Sequence, residues 1–404
     1  MIFAAIDWGE QEHFVVMLDE AGEILERRRV QHEHYELALL DQLLASRPAA
    51  EVHVAIEMHD SLLLDRLLAL GVKVYGLNPK SAQRARERFT PTGVKDDERD
   101  AWSMAEFLRT GHQHLRCIKP ESEATLALRE WVRLREDLSQ ERRVHLQQLH
   151  AHLVRWHPHV RRSAKDLEAE WVLDLLEAYP TADTFAALSY RRVMNWCRGR
   201  GLRVLTRDRL ANAAVAASPT KQPARNAAHA AEVLHRVQAI RHLNAQLKEI
   251  ESTLDEAIRT HPDAVIFEAL PAAGTLTVAA LLAGFGEDRD RWEDHEELQT
   301  RWGTAPITIK SGKFRGVRRR RACDTTIHQA WIWFTFNTVR KEDCWAREAY
   351  QAKRKAGCTH YTALRGIANH WVKIATACWK TRTPYSEEHH QRSQALRRQP
   401  RIEK

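Results

Sequence analysis

Two apolar runs near the start of the chain end in acid: IFAAID stops at Asp7 and EVHVAIE at Glu57. A third acidic group stands in GVKDDERDAW, where Asp96, Asp97, Glu98 and Asp100 crowd five consecutive positions. Side chains alternate across a strand, so a residue at a strand's end projects into the crevice beside the sheet. Four carboxylates from two strands and a helix would suit a pair of Mg²⁺ ions about 3.5–4 Å apart, which activate an attacking oxygen and steady the leaving oxygen of a phosphodiester. Without metal such a group repels itself. The plainer reading of the third group is a helix start, where free N–H groups and the macrodipole favour carboxylates. On a helix beginning near Lys95, Asp97 and Asp100 share a face and so do Asp96 and Asp100, so spacing leaves both pairings open.

A second stretch with chemistry in it is KSGKFRGVRRRR. Lys310, Lys313, Arg315, Arg318, Arg319, Arg320 and Arg321 make seven of its twelve residues cationic, and none is acidic. Such a stripe neutralises phosphates and releases counterions, which makes nucleic acid the favoured partner over a merely solvated basic loop. Within it Ser311 precedes Gly312. No G-x-S-x-G and no local histidine supports a triad, and a plain turn accounts for Ser-Gly. A hydroxyl in a flexible cationic loop is nevertheless placed to attack a phosphodiester, given a metal or another base to take its proton.

These groups need elements to hold them. IFAAID, HFVVML and a run around EILERRRVQ read as three strands of a meander, and EVHVAIE, SLLLDRLLAL capped by Gly71, and VKVYGL read as strand, helix and strand. The order fits an α/β domain with a mixed sheet, with helix continuing from Pro79 to about Thr110. Further on, Trp131, Leu134, Leu138, Leu146, Leu149, Leu153 and Trp156 recur at three or four residues. Ile240, Leu243, Leu247, Ile250, Leu254 and Ala257 do the same, as in a coiled-coil seam or a long helical hairpin. Between them the chain is helical but broken near WHPHV, AYPTAD and RGRGL, and no function is read from residues 157–225. LPAAGTLTVAALLAGFG has the outline of a helix-hairpin-helix, whose turn offers N–H groups to a DNA phosphate.

The chain has 404 residues, enough for two or three domains, and 62 Lys and Arg stand against 54 Asp and Glu. No apolar run approaches the length of a membrane span, and MIFAAIDWGEQEHF turns acidic too early for a secretory signal, so a cytoplasmic protein is expected. The six cysteines include no C-x-x-C pair, which argues against a disulfide framework or a structural zinc site.

Taken in order, AIDWG, AIE, KDDERDA and SGK resemble the DEDD transposases of the insertion-sequence one-ten family. The resemblance implies a RuvC-like, ribonuclease-H-type catalytic domain over 1–118 and a helical coiled-coil region over 119–260. It further implies a mainly helical C-terminal transposase domain over 261–380, then a polar basic tail over 381–404. It assigns metal ligation to Asp7, Glu57, Asp97 and Asp100, because the family's Lys-x-Asp-x-x-Asp-Ala falls on Lys95, Asp97, Asp100 and Ala101, and it makes Ser311 the nucleophile. Asp96 stands where the family usually has a small hydroxyl residue, and Ala272 where its hairpin usually has glycine. The family implies Mg²⁺-dependent strand cleavage and exchange through a serine–DNA ester. It also implies guidance by a structured noncoding bridge RNA that pairs with donor and target DNA, and a homo-oligomer, dimer or tetramer, in which the acids of one subunit meet the serine of another. Two other readings stand beside this one: a RuvC-type nuclease or junction resolvase in which water attacks, and an inactive relative that only binds RNA or DNA.

Overall fold

In a computed structural model of the chain, the alternating apolar runs of the N-terminal region become a mixed six-stranded sheet. Residues 1–57, 61–89, 96–219, 222–311 and 314–398 are described, without the side chains of 310–315 and 394–398. Strands β1 (Ile2–Asp7), β2 (Glu12–Leu18) and β3 (Ile24–Gln31) form the antiparallel meander. Strand β4 (Val52–Ile56) runs parallel to β1, and β5 (Lys73–Gly76) parallel to β4. The order is β3-β2-β1-β4-β5-β6, closed at one edge by the two-residue β6 (Cys117–Ile118). The last strand was not foreseen, because two residues show no alternation.

Helices cover both faces. Leucines of α1 (His34–Ala45) and α2 (Leu62–Ala69) pack with Ala4, Ile6, Val54 and Ile56. On the opposite face α3 (Pro79–Phe89) and α4 (Asp97–Gly111) pack with Phe3, Ala5 and Ala55. Gly71 ends the turn after α2 with φ +73°, as a helix stop requires. Residues 287–293 belong to this unit. Lys119 pairs with Asp288 at 2.8 Å, and the Glu287 carboxylate accepts from the Ser122 hydroxyl at 2.6 Å.

The second unit spans residues 123–286 and 294–404. Its long helices α5 (Glu123–Trp156) and α11 (Pro223–Thr260) lie antiparallel, since Arg135 meets Glu251, Arg142 meets Asn244, and Trp156 stacks on His229. The α11 stripe from Ile240 to Leu254 is buried inside this unit. Of the α5 stripe, Leu149 and Leu153 are buried as the spacing predicts, but Trp131 and Leu134 remain 37% and 43% exposed, and in the first half of the helix Thr125, Leu128, Val132 and Ser139 are buried instead. Two of those four are small and polar, so the seam there carries little hydrophobic signal. Between the long helices lie α6 (Pro158–Ser163), α7 (Glu170–Ala178), α8 (Ala182–Ala186), α9 (Tyr190–Gly199) and α10 (Val204–Ala216).

After α11 come α12 (Ala264–Glu268), α13 (Thr275–Phe285), α14 (His295–Arg301), a hairpin of β7 (Ile307–Ser311) and β8 (Phe314–Arg318), and α15 (Thr325–Thr338), α16 (Trp345–Lys355), α17 (His360–Thr381) and α18 (Glu387–Arg398). Fully buried Phe285, Trp302, Trp331, Phe334, Trp371 and Trp379 form their core. Among the described residues no helix is long and apolar enough to cross a membrane.

Two buried histidines tie the fold to pH. Burial, with Lys73 adding to it, lowers His53 from 6.5 to about 4, and burial lowers His157 to about 4. Both bind protons less readily folded than unfolded, so their contribution to stability is whole above pH ~6.5 and is lost as pH falls toward 4. Urea titrations across that window should show unfolding free energy dropping by up to about 1.4 kcal/mol per pH unit for each histidine. Replacing His53 with phenylalanine should flatten part of the slope.

Candidate active site and nucleic-acid interface

The period of the sheet decides where the first two acids lie. Phe3 and Ala5 of β1 and Ala55 of β4 face α4, so Asp7, and Glu57 immediately beyond β4, continue that same face. Ile6 pairs with Ile56 in parallel register, which puts Asp7 and Glu57 next in line at the ends of the two central strands, and neighbouring strands run about 4.8 Å apart. The turn after Asp7 depends on Gly9, where a Cβ would stand 2.3 Å from the Glu12 carbonyl oxygen.

Helix α4 brings the other two acids to the same end. Near its C-terminus Arg109 donates to the Glu20 carbonyl at 3.0 Å, and the His112 ring lies 5.0 Å from Phe3, at the far end of β1 from Asp7. The N-terminal turn therefore lies toward Asp7 and Glu57. Asp100, Ala101, Met104, Ala105 and Leu108 form the buried face, and Asp97, one turn before Asp100, is exposed at the helix start. Asp96 has a different task. It is the N-cap, its carboxylate accepts from the Glu98 N–H at 3.4 Å, and it pairs with Arg99 at 3.7 Å. The helix-start reading of the acidic cluster holds for Asp96, while Asp97 is exposed and Asp100 is buried one turn further on.

Asp100 is held by Arg86 of α3 at 2.6 Å, a cation the sequence reading missed because nothing in its spacing points fourteen residues ahead. Among the described residues no three His, Cys, Asp or Glu side chains stand together as a ready ligand group. The four acids named from the sequence are all carboxylates, the donor type a hard divalent ion takes, and Asp7 and Glu57 end neighbouring strands.

Ser311 belongs to the second unit, as the last residue of β7, where it pairs with Phe314. This is a strand end of a two-stranded hairpin and not the flexible loop expected. Lys313, like Lys95, lies outside the described residues. The hairpin is anchored on both sides. Before it Trp302, Gly303 and Thr304 are buried, and after it Asp324 caps α15 by accepting from the Ile327 N–H at 3.1 Å. His328, its pKa lowered by burial, has Nδ1 2.8 Å from the Trp302 carbonyl oxygen. Gly303 has φ +65°, and a Cβ there would stand 2.6 Å from the Cys323 Sγ. Gly303→Ala should therefore cost about 2–4 kcal/mol in a denaturant titration, combining a left-handed backbone with overpacking.

Arg318, Arg319 and Arg321 are exposed, Arg320 is half-buried, and none of the four meets a carboxylate among the described residues. Changing all four to glutamine should lower the slope of log K against log salt by about 3 to 4 for duplex DNA. An unchanged slope would mean that the stripe only contacts solvent.

The helix-hairpin-helix outline corresponds to α12, a turn and α13. Ala272 in that turn has φ +65°, a conformation in which glycine pays no steric cost. Gly274 is the N-cap of α13.

A six-stranded sheet of this order, with acids at the ends of its central strands, is consistent with a ribonuclease-H-type domain of the DEDD class. A DEDD_Tnp_IS110 transposase profile matches residues 4–158, and a profile for the IS116/IS110/IS902 transposase family matches residues 264–351. The chain belongs to the IS110 family of transposases, enzymes of the DEDD class that act on DNA. It is 36% identical over 190 residues to a Sinorhizobium fredii protein named as transposase y4uE, a match that covers 46% of this chain and 53% of that relative, about half its length. It is 27% identical over 402 residues to a Streptomyces coelicolor protein named as the mini-circle transposase for IS117, covering 96% of each. An insertion element IS116 protein of Streptomyces clavuligerus is 26% identical over 385 residues, 93% of this chain and 94% of its own.

Proposed function

We propose that this chain cuts and rejoins DNA with two sets of groups: a RuvC-like carboxylate site of Asp7, Glu57, Asp97 and Asp100, and the nucleophile Ser311. The observation that carries the reading is the placement of Asp7 and Glu57 at the ends of the neighbouring strands β1 and β4, with the first turn of α4 toward them. The four acids would hold Mg²⁺, which when bound supplies Lewis-acid polarisation of the scissile phosphate. Ser311 Oγ forms a bond to phosphorus, the phosphorus bond to the leaving deoxyribose oxygen breaks, and the serine proton passes through solvent to that oxygen. Phosphodiester energy is kept in the protein–DNA ester, so the reverse attack by another DNA end rejoins the strand. Lys310, Lys313, Arg315 and Arg318 to Arg321 hold the backbone and steady charge on the pentacoordinate phosphorus. In this reading α12 and α13 offer hairpin N–H groups to phosphate, a structured bridge RNA pairs with donor and target DNA, and a dimer or tetramer supplies acids and serine from different subunits.

The test is denaturing electrophoresis of end-labelled DNA incubated with protein, Mg²⁺ and RNA transcribed from the flanks of the coding region. A covalent protein–DNA band that chelator abolishes supports the proposal. Free ends without a covalent band indicate a water-using nuclease, and binding without cleavage indicates a chain that only binds nucleic acid.

A further inference from the structure

Seven arginines and one acidic residue lie between Ser189 and Leu210, in a part of the second unit to which none of the chemistry above assigns a task. Helices α9 and α10 are fixed from beneath by Val193, Cys197, Leu210 and Ala214, all buried in one core with the long hairpin. What they turn outward follows a helical period. Arg191, Asn195 and Arg198 recur at four and three residues along α9, and Leu205, Arg209 and Asn212 do so along α10, and all six are exposed. Arg192 and Arg203 are exposed beside them.

Several exposed arginines of the same unit meet acids: Arg133 meets Glu130 at 3.0 Å, Arg143 meets Glu136 at 2.7 Å, Arg259 meets Asp255, and Arg200 at the end of α9 meets Asp174 at 3.0 Å. By contrast, none of Arg191, Arg192, Arg198, Arg203 and Arg209 pairs with a carboxylate among the described residues. The single acid of the segment, Asp208, is half-buried and accepts from the Tyr190 hydroxyl at 3.3 Å, so it links the two helices and does not neutralise their outer face. A concentration of unneutralised guanidinium on two rigidly packed helices, interleaved with asparagine, has the chemistry of a surface for a polyphosphate backbone.

We infer that the outer face of α9 and α10 is a second nucleic-acid interface, separate from the β7–β8 stripe, that holds the backbone of duplex DNA without reading its sequence. DNA is the occupant because it is the polymer on which this family acts, and because exchange of two DNA partners needs duplex held beyond the few phosphates at the cut. The interface requires neither Ser311 nor the metal site, so it stands or falls apart from them.

The test uses the full chain and a fluorescent duplex of about 30 base pairs of arbitrary sequence, with anisotropy titrations from about 50 to 200 mM salt. The triple variant Arg191→Gln, Arg198→Gln, Arg209→Gln should bind about tenfold more weakly and lower the salt slope by about 2 to 3, while circular dichroism and thermal midpoint stay as in the wild type. The matching triple change to lysine keeps the charge and should keep most of the slope. Wild-type affinity and slope in the glutamine triple would overturn the inference. So would a loss confined to duplex RNA of equal length, because the face would then hold RNA. Covalent-adduct formation on a short DNA end, run in parallel, reports on the serine chemistry alone.

Discussion

Ser311→Ala is expected to remove the covalent protein–DNA band and strand exchange together, lowering turnover by about 10⁴-fold or more, the scale on which loss of a catalytic nucleophile is felt. The hydroxyl is the atom that becomes bonded to phosphorus, and alanine has nothing to put in its place. Folding should be indifferent. Ser311 ends β7 and pairs through its backbone with Phe314, so the ladder does not depend on the side chain, and the stability change should stay within about 0.5 kcal/mol. Nucleic-acid affinity should also hold, since the cations around it are untouched. Denaturing electrophoresis separates the possible results cleanly. If Ser311→Ala cuts at the wild-type rate while Asp7→Asn does not cut, water is the nucleophile and the serine role is wrong.

Most of the N-terminal architecture was legible because its signals are local. IFAAID, HFVVML and EVHVAIE became β1, β2 and β4, and SLLLDRLLAL became α2. What escaped depends on distance along the chain. Arg86 reaches Asp100 only because α3 folds back on α4, and Gly9 matters because of a carbonyl three residues later that comes close only in the folded turn. The second half of the α5 seam, Leu149 and Leu153, was legible, and the first half was not, because Thr125 and Ser139 occupy buried positions where a pattern of large apolar residues was sought. Asp96, by contrast, was distinguishable from Asp97 only by resemblance. Spacing allowed either to accompany Asp100, and the N-cap role of Asp96 emerged from its hydrogen bond to Glu98.

That last distinction gives the metal assignment a test that needs no DNA. Mg²⁺ that binds the folded chain and not the unfolded one must raise its stability, by about 2.7 kcal/mol at about 100 times the dissociation constant. Asp7→Asn keeps size and shape and removes one charge, and its own metal-free scan sets the baseline from which its response to Mg²⁺ is read. Its Mg²⁺-dependent rise in thermal midpoint should vanish. Strand cleavage should fall on the order of 10³-fold, the scale lost with one preorganised charge at a developing transition state. Asp97→Asn should behave as Asp7→Asn does. Asp96→Asn should not, because asparagine caps a helix as well as aspartate does and the α4 start survives. Calorimetric scans of the three variants with and without Mg²⁺ therefore read the site directly. A midpoint rise kept by Asp97→Asn and lost by Asp96→Asn would move the ligand to Asp96. A rise unchanged in all three would place any Mg²⁺ the protein binds away from the ends of β1 and β4.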